Sequence, residues 1–484
     1  MDLNDLAIAS GKPLPWHVEP KNAIDNGALT RLRFAPTMQW KQRYSAIPRS
    51  EVFPVVVALL LAGSMWFYVQ RVLIGHQLAD AAVHGSPRGN LSDLYPRWLG
   101  ARELLLHHRD PYSPDVTREI QIGYWGRALD PARPLDPKDQ AGFAYPVFVV
   151  FLLAPTITLP FSIVQTGFRW FLLILTAATV PLWLRALCWR PPVTTTAILI
   201  LLTLGSFQAV QGIKVQQLGL LVGGLVAGSL ALLARRHLAI AGLLLAFATI
   251  KPQLVLPLLA WLLLWAFSDW HQRRNFVWGF VSTMAILLAA AEYVLPGWIW
   301  RFRDAVIAYR QYNEGAESVL DTLITPEWGR PLAVLAVLVL AVLCWRFRRA
   351  PIESSAFNLM FALVLAVTVV IVPKAAPYNQ VLLLPGFLLL VRGWGTLWQK
   401  SAQMRLILVI CGLLIFWPWL AASALTVAWF FLPAEAVQNA WAVPLWTILA
   451  IPPTVVVLLV SAFGEFRNAS LAGPSGPGSR LPGS

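Results

Sequence analysis

The residues best suited to chemistry stand in one polar stretch and at the ends of apolar runs. The stretch 76–143 holds nine of the chain's 24 acidic residues, four of its seven histidines and eight basic residues. A connection this long is usually functional. Within it Asp93 and Arg97 lie four residues apart, a spacing that puts a carboxylate and a guanidinium on one helix face. A carboxylate in a partly apolar site can take a proton from a hydroxyl as a general base. The plainer reading is that Asp93 opens a helix running to His107, where the dipole favours an acid. Ser92 would then be its N-cap, Arg97 a surface partner, and Leu94, Trp98, Ala101 and Leu105 an apolar stripe. Asp110 is the rival acid, with capping of the Pro111-Tyr112 turn as its alternative role, while Glu103 faces away from Asp93. Lys251 and Lys374 end apolar runs, where an ammonium can neutralise a phosphate leaving group or merely snorkel to the interface. His107 and His108 are adjacent and point to different sides of a helix, and no cluster has metal-ligand spacing. No metal and no other cofactor is expected.

The elements that must position these groups are membrane helices. The chain has 484 residues, 57% hydrophobic and 13% charged, with a mean hydropathy of +0.61; ordinary globular domains carry about 25% charged residues. The net charge of +14 sits in short clusters between apolar runs: Arg235 and Arg236, Arg273 and Arg274, and Arg346 with Arg348 and Arg349. That is the positive-inside pattern of membrane proteins, and no basic stripe with interleaved aromatics marks a nucleic-acid partner. Apolar runs lie near 53–75, 144–186, 193–209, 218–234, 238–250, 253–268, 276–294, 330–345, 354–373, 379–394, 405–425 and 442–463. Pro155 and Pro160 break 144–186 into a half-length segment and a full span. The pattern predicts an all-α polytopic membrane protein of about twelve spans. It divides into a cytoplasmic segment 1–52, a membrane domain 53–466 whose first outer loop is 76–143, and a disordered cytoplasmic tail 467–484. The turn at Lys251–Pro252, the turn 373–380 and the loop 295–329 then share the outer face. In the last of these Trp298, Phe302, Val306 and Tyr309 recur at helical spacing, as in a helix lying at the interface. Cys188, Cys344 and Cys411 read as small buried apolar residues. A transporter or flippase would place ionisable groups near the bilayer midplane and show repeats. Here the charges sit at span ends, Glu292 being the main exception.

Several short motifs follow one another in order: Asp93, then Arg109-Asp110-Pro111-Tyr112, then Phe143-Ala144-Tyr145-Pro146, then Gln216-Gln217, Ala241-Gly242 and Ile250-Lys251-Pro252. In this order the chain resembles glycosyltransferase family 87, the polyprenol-phosphate-mannose-dependent mannosyltransferases of the C-type superfamily, over most of residues 50–400. That family's pattern has an Asp and a helix, a Gly-x-Asp-Pro-Tyr-like element, Tyr-Pro-Pro, a Gly-Gln turn, an Ala-Gly pair and an Ile-Lys-Pro helix end. Here His108-Arg109 stands where a Gly is usual, Val147 replaces the second Pro, and Gln216 replaces the Gly of Gly-Gln. Tyr378-Asn379-Gln380 occupies a late outer turn where relatives carry His or Asp. The resemblance implies a C-type fold with interfacial helices in the first outer loop, multi-pass in a bacterial inner membrane and active toward the periplasm. It implies metal-independent, inverting transfer of a hexose, mannose first, from a polyprenyl-phosphate donor to a lipid or glycan acceptor, with membrane lipids as the surroundings. Asp93 takes the role of catalytic base. Arg97, Lys251, Lys374, Gln217, Tyr378, Asp110, Tyr112 and Tyr145 bind donor phosphate or substrate.

Overall fold

Apolar sequence runs become helices here because a lipid-facing backbone has to satisfy its own hydrogen bonds. The computed structural model describes residues 49–85, 89–130, 132–133, 136–312 and 317–462. The segment expected over 1–52 falls almost wholly outside these residues, and the tail expected over 467–484 falls entirely outside them. Among the described residues there is no strand.

Helix α1 (Arg49–Phe67) continues through a π-helical turn at Tyr68–Leu73 into α2 (Ile74–Val83), so that Val52–Val83 forms one apolar helix of 32 residues. The polar stretch folds into α3 (Tyr95–His107) and α4 (Pro114–Trp125). The chain turns back through a short α5 (Val149–Leu153) into α6 (Phe161–Ala186). Next, α7 (Val193–Leu204) and α8 (Phe207–Lys214) meet at a 55° bend. Then come α9 (Leu218–Ala234), α10 (Leu238–Ala248), α11 (Pro252–Phe267), α12 (Trp270–Val294), α13 (Trp298–Tyr312), α14 (Val319–Leu323), α15 (Pro326–Arg346) and α16 (Ser355–Ile371). A 3-10 helix, Pro377–Leu383, leads into α17 (Leu384–Arg392), which bends by 62° into α18 (Trp394–Lys400). The described chain ends with α19 (Ala402–Ala428), α20 (Ala434–Asn439) and α21 (Ile451–Ser461).

Five helices are long and apolar enough to cross a membrane, or up to seven if each bent pair is one span. The remaining apolar runs, expected as full spans, form α9, α10, α11, α16 and α21, each of 10–17 residues. At 1.5 Å per residue the 16 residues of α11 extend about 24 Å, short of the roughly 30 Å hydrocarbon layer. The runs looked longer in sequence because apolar residues continue through their turns. The long helices carry the lipid-facing surface. On α15, Val334, Leu335, Leu338 and Val342 are all exposed, which suits hydrocarbon and would be a liability in water.

The short helices are buried by close packing. Gly242 of α10 faces Gly279 of α12: a Cβ on the first would lie 2.2 Å from the Phe276 carbonyl oxygen, and one on the second 2.1 Å from that of Ala239. Small residues at such a crossing let two backbones touch, a physical reason for the Ala241-Gly242 pair. The Ser229 hydroxyl on α9 also donates to the Ala241 carbonyl at 2.8 Å.

The basic turns come together at one end of this bundle. Arg273 donates to the Trp265 and Arg348 carbonyls at 2.7 and 3.3 Å, Arg392 donates to that of Leu187 at 2.9 Å, and Arg236 faces Glu353 at 3.7 Å. Lys251, at the start of α11, stands a whole helix length from this cluster. The three cysteines are free; Cys344 and Cys411 are buried as expected, but Cys188 is exposed in a left-handed turn (φ +51°).

Candidate active site

Asp93 is not in a helix. Helix α3 begins at Tyr95, its N-cap is Leu94, and the Ser92 hydroxyl is buried without a hydrogen-bond partner. The expectation of a Ser92 cap over an Asp93 first turn is therefore corrected. The preceding segment instead lies along the end of α4. The Asn90 side chain donates to the Gly123 carbonyl at 2.9 Å, and the Leu91 N–H to that of Tyr124 at 3.4 Å. The Asp93 N–H in turn donates to the Val215 carbonyl just past α8, at 2.8 Å. Free helix-end carbonyls thus hold this segment, and Asp93 lies where α3, α4 and the α8–α9 turn meet.

Both carboxylate oxygens of Asp93 are engaged. Tyr124 donates its hydroxyl to Oδ1 at 3.2 Å, and Gln217 donates Nε2 to Oδ2 at 2.6 Å. The other end of the Gln217 amide, Oε1, accepts from Lys251 Nζ at 2.5 Å and from the Tyr145 hydroxyl at 3.5 Å. Gln217 therefore links a carboxylate to an ammonium with its amide orientation settled by both partners. Lys251 is only 6% exposed, and its Nζ lies 5.2 Å from the Tyr378 ring centre and 5.9 Å from that of Tyr145, within cation–π range. A Cβ at Gly219 would come within 3.3 Å of Asn379 Oδ1 and 3.5 Å of Lys251 Nζ, so glycine keeps this corner open.

Arg97 does not pair with the Asp93 carboxylate. It donates Nη1 to the Asp93 carbonyl at 3.1 Å and stacks over the Tyr145 ring at 4.4 Å, leaving Nε buried with no hydrogen-bond partner. Asn379 Oδ1 is likewise buried without one. Lys374, held in a left-handed backbone conformation (φ +66°), donates to the Tyr309 hydroxyl at 2.5 Å and lies 3.6 Å from Asp139.

Burial raises the Asp93 pKa above the ordinary carboxylate value, with the charges of Arg97 and Lys251 and the Tyr124 hydrogen bond pulling the other way. Burial also draws the Lys251 ammonium down to about 7, against the pull of Asp93. Opposing shifts on a neighbouring acid and base are typical of functional sites.

Two predicted site residues support the site from outside it. Asp110 accepts the Tyr112 N–H at 2.9 Å, capping its turn, and pairs with Arg301 on α13. Tyr112 donates its hydroxyl to the Tyr145 carbonyl at 2.6 Å. Glu103 and Glu119 both bind Arg109 at 2.7 Å, which clamps α3 to α4. Three residues were missed as contributors. Tyr124 could have been found as the next turn of the Thr117–Gln121 face of α4. Tyr309 read as part of an interfacial stripe, and Asn379 only as part of a motif. Among the described residues, no three His, Cys, Asp or Glu gather closely enough to hold a metal ion.

Two departures from the family pattern sit at strained backbone positions. His108, which ends α3, has φ +53° and Gln216 has φ +51°, a region that glycine enters freely and other residues rarely.

Residues 143–373 match the family model of glycosyltransferase family 87, and no curated protein matches the chain. The matched segment includes Tyr145, Gln217 and Lys251; Asp93 precedes it and Lys374 with Tyr378 follows it. With membrane-length apolar helices and this matching core, the chain is similar to glycosyltransferase family 87 over just under half of its length.

Proposed function

We propose that this protein transfers a hexose, mannose in the first instance, from a polyprenyl-phosphate donor to a lipid or glycan acceptor at the outer surface of a bacterial inner membrane. The observation that carries the reading is the half-buried Asp93 carboxylate, linked through Gln217 to the buried Lys251 ammonium. An acceptor oxygen attacks the anomeric carbon, its proton passes to Asp93, and the carbon–oxygen bond to phosphate breaks with the electron pair leaving on the phosphate. Asp93 acts as base on the face opposite the leaving group, so one displacement inverts the anomeric centre. Lys251, Lys374 and the unpartnered Arg97 Nε supply positive charge for the phosphate. An apolar groove lined by Trp183, Leu220, Val381, Leu384 and Trp419 reaches the 3-10 helix that carries Tyr378, and suits a polyprenyl tail. The test is to incubate the purified protein with a panel of polyprenyl-phosphate sugars and measure released lipid phosphate. Release from none of them, by protein that is folded, would overturn the reading.

In this reading the five shorter helices complete twelve membrane segments, the site end faces outward, and the basic turns face the cytoplasm. The termini, 1–52 and 467–484, lie on the cytoplasmic side. A single cysteine placed at position 236 is expected to react only with reagent that reaches the cytoplasm, and one at 138 only with reagent applied outside. Outside-only labelling at 236 would invert this arrangement.

A further inference from the structure

The structure also holds an open cleft of about 560 Å³ between α4, the segment 139–144 and α13. Small-molecule sites run roughly 300–1,000 Å³. One wall is the face of α4 that presents Thr117 and Gln121; one turn further along the same face is Tyr124, whose hydroxyl holds the Asp93 carboxylate. The opposite wall is α13, where Ala305 and Ala308 leave room and Tyr309 accepts a hydrogen bond from Lys374. Asp139 of the lining lies 3.6 Å from Lys374 and its charge acts on Asp93, so the cleft neighbours the proposed base.

Its lining selects the ligand class. Tyr112 and Phe143 meet edge to face at 5.2 Å on one side, an apolar surface for the C–H face of a ring. Around them stand Gln140, Thr117, Arg118 and Asp139, which offer both donors and acceptors. The charged lining residues are Asp115, Asp139 and Arg118, so positive charge is not in excess and a phosphate is disfavoured. A neutral polyol is what such a surface binds.

We infer that this cleft holds the sugar ring of a glycan acceptor and presents one of its hydroxyls to Asp93. This deepens the transfer reading and rests on it. The donor is placed elsewhere: its phosphate belongs with Lys251 and Arg97, and its tail with the apolar groove.

The test uses the purified full chain, with methyl α-mannoside and methyl β-glucoside as probes and saturation-transfer NMR as the readout. The parent protein is expected to bind at least one probe. Ala308→Trp, which fills the cleft, and Arg118→Ala, which removes an exposed side chain, are expected to weaken binding at least tenfold. A saturating polyprenyl-phosphate sugar should leave probe binding in place; displacement would assign the cleft to the donor's own sugar and overturn the inference. Parent-like binding by both cleft variants, or no binding of either probe to the parent, would also overturn it. If binding behaves as expected while no donor is consumed, the transfer reading falls and the carbohydrate site stands.

Discussion

Asp93→Asn is expected to lower sugar transfer about 100- to 10,000-fold, the usual cost of removing a general base, in a protein that folds and binds donor. The substitution keeps the shape of the side chain and both of its contacts. The amide oxygen can accept from Gln217 Nε2 and the amide nitrogen can donate to the Tyr124 hydroxyl, which replaces the two bonds now made at 2.6 and 3.2 Å. The backbone bond from the Asp93 N–H to Val215 is unaffected. What is lost is the capacity to take a proton. Because the carboxylate is neither in α3 nor its cap, loss of helix stability does not account for such an effect. Transfer rates with a saturating donor, together with a thermal unfolding curve, decide the matter. Near-parental transfer by folded protein would remove Asp93 from the mechanism. Asp110, committed to its own turn and to Arg301, would then be the next acid to examine.

The second large effect is expected at Lys251. Removing one preorganised charged donor from a developing negative charge typically costs about 100- to 1,000-fold in rate, and Lys251→Gln should fall in that range. Lys374→Gln should cost less, because its ammonium is shared with Tyr309 and Asp139 and lies further out. The pH profile carries the more specific signature. Transfer needs Asp93 ionised, so kcat/KM rises as pH passes upward through its raised pKa. It also needs Lys251 charged, so the rate falls again as pH rises through the lysine value near 7. Lysine's positive charge lowers the Asp93 pKa; without it the carboxylate holds its proton to higher pH. Lys251→Gln should therefore move the acid limb to higher pH and remove the alkaline limb that belongs to Lys251. An unmoved acid limb would show that the two groups are not coupled through Gln217.

How far this arrangement could be read in sequence differs from residue to residue. Asp93 was legible as an acid of the long polar stretch and Lys251 as a cation at the end of an apolar run, while Gln217, Tyr145 and Tyr378 were legible only through motifs that resemble the family's. The structure gathers all five. Arg97 was legible in position but not in partner, since i,i+4 spacing says nothing about whether a guanidinium reaches a carboxylate or stacks on a ring brought in by Tyr145. Tyr124 was legible only as a position on the α4 face and Asn379 only as part of a motif, because what matters for each is contact across elements far apart in the chain. The membrane helices show the same limit. Hydropathy located every apolar run, but it does not see where a run turns. So α10, flanked by Arg236 and the Lys251 corner, came out as a helix of 11 residues rather than a full span. The left-handed turns at His108 and Gln216 were visible only as departures from a pattern; their φ values supply the physical reason that glycine is usual there.

The contributors to the site enter the chain at widely separated times. Asp93 emerges from the ribosome early, Gln217 and Lys251 when about half the protein is made, and Tyr378 and Asn379 when about three-quarters of it is made. Until Gln217 arrives, Asp93 lacks the amide that links its carboxylate to Lys251. The perturbed acid and the buried ammonium are thus properties of the finished polypeptide. A nascent or truncated protein stopping before Pro377 would present the carboxylate without the aromatic wall that closes over Lys251. For the proposed transfer reaction the site is complete only once the segment 374–380 has been made and has packed against α8, where Gln208 donates to Gln380 at 2.8 Å.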